Sequence, residues 1–134
     1  MNTESRDSFN HAEPLPPQFS QWFAGRGWQV RPHQLEMLRT AQAGRSALLI
    51  APTGGGKTRA GFLPSLIDLA ETAGNGLNTL YISPLKALAV DIARNLDAPI
   101  SELGLDINVE TRTGDTPAGR RRRQLSNPPD ILIT

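Results

Sequence analysis

The chain of 134 residues has no cysteine, which excludes a disulfide framework and a thiolate metal site and fits a reducing compartment. Aromatic residues make up only 5% of it, and Phe62 and Tyr81 lie in apolar, core-type patterns. No stacking platform for single-stranded nucleic acid is therefore visible. An excess of charge of one sign is also missing: 14 basic residues stand against 13 acidic ones, so gross charge announces neither a nucleic-acid nor a membrane partner. No apolar run approaches the length of a membrane span, and the polar start MNTESRDSFN is no signal peptide. A cytoplasmic location without a membrane partner is expected.

Against these absences stands one informative string, APTGGGKT at residues 51–58, which follows the apolar run SALLI. A strand that delivers a glycine-rich loop and a helix that leaves it form a phosphate cradle, because free backbone N–H groups meet the anion at the positive end of the helix dipole. Thr53, Gly54, Gly55, Gly56, Lys57, Thr58 and Arg59 are the cofactor-binding candidates here. The glycines allow backbone angles and close approach that a Cβ would forbid, Lys57 reaches the β and γ phosphates, and the Thr58 hydroxyl ligates magnesium. ATP and Mg2+ are the expected ligands, with Lys57 and Thr58 as the catalytic pair. The first glycine of the usual pattern is replaced by Ala51.

Residues 1–17 are polar, lack periodicity and end in PLPP, which predicts a disordered or loosely attached tail before a folded part from 18 to 134. Phe19, Trp22 and Phe23 have helical spacing and read as core. A helix is predicted from Pro32 to near Gly44, a buried strand over 47–50, and a helix leaving the loop and fading near Gly74. Strands are predicted over 77–83, 107–112 and 131–134. A helix after Pro84 carries Leu85, Leu88, Ala89, Ile92 and Leu96 as its apolar stripe, a further short helix is allowed after Pro99, and a basic helix spans 116–124. Strands alternating with helices imply an α/β fold with a parallel sheet covered on both faces and its ligand beyond the strands' carboxyl ends.

A later apolar strand ending in carboxylates, needed to hold magnesium and orient water, is not found. Asp130 in PPDILIT precedes its apolar run and reads as a loop residue. The chain is thus expected to hold nucleotide but to hydrolyse it poorly alone.

Four strings, RPHQLEML (31–38), APTGGGKT (51–58), SPLKALAVDIARNL (83–96) and TRTGDT (111–116), closed by PPDILIT, together resemble the first motor domain of a superfamily 2 DNA helicase. The resemblance is nearer still to the large-helicase-related (Lhr) group of DEXH-box helicases, bacterial ligase-associated type, and it covers about residues 19–134. It implies a RecA-like P-loop NTPase domain, here partial and cut before the Walker B strand. It accounts for Ala51, which is common in that superfamily.

The resemblance further implies that Gln34 reads the adenine edge; taken alone, Gln34 is an ordinary solvated helix residue. It implies nucleic-acid contacts by Ser83, Pro84, Lys86, Arg112, Thr113, Gly114 and Thr134, although the first string alone is a helix cap and TRTGDT alone a turn. His33 is unassigned, and Arg120 to Arg123 point in four directions, as a solvated run or a nonspecific phosphate contact. The implied parent is an ATP-dependent DNA helicase or translocase, with a repair association, DNA as partner and a second RecA-like domain in the same full-length chain. A non-catalytic binding module and another phosphate-loop enzyme stay open.

Overall fold

The computed structural model describes residues 15–134 apart from Thr53, Gly55 and Ala73. Pro17 and Pro32, whose missing N–H groups cost nothing in a first helical turn, open α1 (Pro17–Gly25) and α2 (Pro32–Gln42). The glycine-rich loop feeds α3 (Lys57–Glu71), and β1 (Thr79–Tyr81), α4 (Lys86–Glu102), β2 (Val109–Thr111), α5 (Ala118–Ser126) and β3 (Ile131–Ile133) follow. The three strands are all parallel in the order β1-β3-β2, with Tyr81, Ile133 and Thr111 in register.

The core lies on one face of this sheet. Side chains alternate along a strand, so Thr79, Tyr81, Ile131 and Ile133 share a side. Phe62 of α3 stacks on Tyr81 with ring centroids 5.3 Å apart, and Thr79 Oγ1 donates to Ser65 Oγ at 2.7 Å. Phe62 comes before Ser65 while Tyr81 comes after Thr79, so α3 runs antiparallel to β1. Its N-terminus, carrying Lys57, therefore lies toward the carboxyl ends of the strands. Ala89, Ile92 and Leu96 of α4 join the same cluster together with Phe19 and Phe23 of α1. On the opposite face Glu110 meets Arg123 and Gln124 of α5, while Leu80 is left exposed. Among the described residues that face is covered only beside β2, so the expected two-sided cover is partial.

Four expectations change. The apolar run 47–50 forms no strand, and Leu48 and Ile50 are each 86% exposed, because a parallel strand needs neighbours that no described segment supplies. Pro99 opens no separate helix: it is buried inside α4, and the Leu103 N–H bonds to its carbonyl at 3.0 Å. Leu85 and Leu88 are exposed and stand outside the α4 stripe, which runs Ala89, Ile92, Leu96, Pro99. Of the expected loose tail, residues 1–14 lie outside the described residues, whereas Leu15 is buried in the core.

Candidate nucleotide and nucleic-acid sites

Gly56 caps α3 in the left-handed region at φ +75°, and Gly54 sits at φ +81°, conformations that a Cβ penalises. The first turn of α3 then leaves its opening N–H groups unpaired within the helix, beside exposed Lys57 and Thr58. The N-terminus of α2 grips this loop. Arg31 Nη1 donates to the Gly54 carbonyl at 3.2 Å and Gln34 Nε2 to the Gly56 carbonyl at 3.4 Å, while the Arg31 N–H donates to Gln34 Oε1 at 2.9 Å. Gln34 is only 1% exposed. Its amide faces the loop in this structure and is not open to a base. Thr53 and Gly55 lie outside the described residues.

Beside the loop opens a cleft of about 680 Å³, lined by Trp22, Arg26, Trp28 and Arg31, by Lys57, Thr58, Arg59 and Phe62 of α3, and by Asn95 and Leu96 of α4. The Arg59 guanidinium lies 3.8 Å from the centroid of the Trp28 ring, and Arg26 lies 5.1 Å from it. Such cation–π stacking holds a flexible arginine in place. Burial, then the charges of Arg31 and Arg26, lower the Arg59 pKa from its ordinary value. Glu102 neutralises Arg26. The remaining arginines therefore give the cleft a positive potential suited to an anionic ligand. Of the aromatics read from sequence as core, Phe19 and Phe23 are buried, while Trp22 lines the cleft together with Trp28. No local signal distinguishes these two pairs.

The nucleic-acid candidates come together at the carboxyl edge of the sheet. The Ser83 N–H donates to the Thr134 carbonyl at 2.6 Å, the Thr134 N–H to the Tyr81 carbonyl at 2.9 Å, and the Arg112 N–H to the Ile133 carbonyl at 2.8 Å. Ser83, Thr134 and Arg112 thus stand in a row just past three strand ends. Pro84 and Lys86 follow at the start of α4. Lys86 is ion-paired with Asp115, which joins this helix start to the turn holding Thr113 and Gly114; the ammonium lowers the pKa of the Asp115 carboxyl. The four consecutive arginines separate as their directions require. Arg120 and Arg122 are exposed, Arg123 reaches Glu110 at 2.5 Å, and Arg121 turns inward, donating to the Thr113 and Gly114 carbonyls at 2.8 and 2.9 Å. Neither Asp115 nor Arg121 was legible as a partner from residue spacing. Asp130 is a loop residue, its Oδ2 accepting the Asn108 N–H at 2.8 Å.

Residues 31–134 match the model of the DEAD/DEAH box helicase family. The chain is 42% identical to the Lhr helicase/probable uracil glycosylase of Mycolicibacterium smegmatis over 93% of its own length and 9% of that protein's. It is 38% identical to the ATP-dependent helicase Lhr-Core of Methanothermobacter thermautotrophicus, covering 90% of this chain and 16% of that one. The solved structure of Mycobacterium smegmatis helicase Lhr bound to ssDNA and AMP-PNP superposes with a TM-score of 0.81 at 40% identity, over 92% of this chain and 17% of that chain. The chain thus spans less than a fifth of these relatives.

Proposed function

The chain belongs to the DEAD/DEAH box helicase family, and on that premise we propose that it is the ATP-binding part of an ATP-dependent DNA helicase or translocase. The observation that carries this reading is the arginine- and glutamine-braced loop at the start of α3, with Lys57 and Thr58 exposed beside a cationic cleft. Gly54, Gly56, Lys57, Thr58 and Arg59 hold the triphosphate, with Thr53 and Gly55 completing the loop. Gln34 braces the loop, and the adenine edge is assigned to its amide once nucleotide binding turns it out of that brace. A relative bound to ssDNA and AMP-PNP supports the same pairing of ligands.

Among the described residues no cluster of three His, Asp or Glu side chains can hold a metal. Magnesium fits this chain only through the Thr58 hydroxyl and the phosphate oxygens themselves, as hard cations held at NTPase sites often are. When bound it neutralises charge developing on the transferring phosphoryl group. The carboxylates of the DEXH motif are assigned to the rest of the full-length protein, and hydrolysis by these 134 residues alone is expected to be poor. Among the described residues no helix is long and apolar enough to cross a membrane. A DNA-repair role and the ligase-associated subdivision are proposed from the motif strings alone, and a cytoplasmic location from the composition.

In the complete enzyme a second RecA-like domain closes on the nucleotide, and Ser83, Pro84, Lys86, Arg112, Thr113, Gly114 and Thr134 hold single-stranded DNA or a duplex junction. Cleft opening and closing then steps the protein along the strand. Lys57→Ala in the complete protein is expected to abolish ATPase and unwinding while leaving DNA binding largely intact. An unchanged ATPase rate would overturn the assignment. The second reading is a non-catalytic nucleotide or nucleic-acid module. ATPase stimulated by single-stranded DNA in the complete protein excludes both it and a small phosphate-loop kinase.

A further inference from the structure

Within the turn that follows β2, nearly every backbone N–H is already committed. Arg112 donates to the Ile133 carbonyl, Thr113 to Thr116 Oγ1 at 2.9 Å, Asp115 to Thr113 Oγ1 at 3.3 Å and Thr116 to the Thr113 carbonyl at 3.2 Å. Gly114 is the exception: among the described residues no acceptor meets its N–H. Its orientation is set from behind. Arg121 Nη2 draws the carbonyls of Thr113 and Gly114 toward itself, and in a trans peptide the N–H points opposite to the C=O. The Gly114 N–H is thereby turned away from Arg121, on an exposed residue whose missing Cβ leaves open space around it.

We propose that Arg121 is the positioning residue of this turn, aiming the free Gly114 N–H at a nucleic-acid phosphate without touching the phosphate itself. The proposal rests on the nucleic-acid reading of the turn. An N–H held toward an anion makes a charge-assisted hydrogen bond, stronger than its neutral counterpart. The guanidinium suits the task because Nη2 holds its two hydrogens in a fixed plane, one for each carbonyl, whereas an ammonium turns freely on its stem. Arg112 Nη1 in turn reaches the Arg121 carbonyl at 3.4 Å, tying α5 to the end of β2.

The test is binding of fluorescein-labelled oligothymidylate to the complete protein, followed by anisotropy over a series of KCl concentrations. Removing a residue that contacts phosphate lowers the salt slope by about one, whereas a residue acting through a neutral N–H leaves it unchanged. Arg121→Ala is expected to weaken binding on the order of tenfold at constant slope, with Arg121→Lys intermediate. A slope reduced by about one, or an unaltered affinity in both variants, overturns the proposal.

Lys86→Ala and Arg112→Ala separate the two levels. If they weaken binding while Arg121→Ala does not, only the role of Arg121 fails; if none of the three matters, the nucleic-acid reading of this edge fails too. Binding of a fluorescent ATP analogue reports whether each variant is folded. Should Arg121→Ala lose it, Arg121→Lys decides: weaker DNA binding at constant slope supports the proposal, and wild-type DNA binding overturns it.

Discussion

Gln34 and Gly56 occupy adjoining space so closely that a side chain on the glycine would displace the glutamine: the Gln34 amide donates to the Gly56 carbonyl at 3.4 Å, and a Cβ on Gly56 would lie 2.7 Å from that amide nitrogen. The glycine thus serves two needs at once, a left-handed backbone and room for the brace from α2.

Gly56→Ala is expected to cost about 1–2 kcal/mol from its backbone alone, with a further loss as Gln34 is displaced. Urea unfolding measures the first effect and titration with a fluorescent ATP analogue the second. An unchanged unfolding midpoint would show that the left-handed cap is dispensable.

Gln34→Ala removes both the brace and the amide assigned to adenine. Affinity for ATP is expected to fall more than affinity for GTP, by about tenfold for a lost hydrogen bond of the stronger kind. Equal losses for the two nucleotides would leave Gln34 as a loop brace only.

Asp115→Asn breaks the ion pair with Lys86 and frees that ammonium for phosphate. Tighter binding to single-stranded DNA is expected, with a salt slope steeper by about one. Weaker binding would mean that the pair holds the turn in its binding form.

Glu102 accepts from Trp22 Nε1 at 2.6 Å and from Arg26 Nε at 3.0 Å, joining α1 to the end of α4. The hydrogen bonds from Arg26, then from Trp22, lower its pKa. A carboxylate depressed on folding stabilises the fold above its unfolded pKa, and that contribution disappears as pH falls through the folded value. The gap in melting temperature between wild type and Glu102→Gln should therefore be widest near neutral pH and close under acid conditions. Because the group is exposed, a small gap is expected, and one that widens toward low pH would contradict the assignment.

The helices and the phosphate loop were legible because their signals are local. Pro32 suits a first turn, Gly54 and Gly56 tolerate positive φ, and Ala89, Ile92 and Leu96 recur at helical spacing, whereas Pro17, read as the end of a loose tail, opens α1. The run 47–50 was misread for the converse reason. Its apolar content marks a buried strand only where neighbouring strands exist, and none of the described strands pairs with it.

The sequence by itself determined that a glycine-rich loop enters a helix and that parallel strands follow, since backbone preference and side-chain period act over a few residues. Only the tertiary structure decided that Gln34 turns onto Gly56, that Trp28 stacks on Arg59, that Asp115 holds Lys86 and that Arg121 alone of four arginines points inward. Each of those depends on where the fold places two separated groups, and a side chain's partner is set by that placement rather than by its identity.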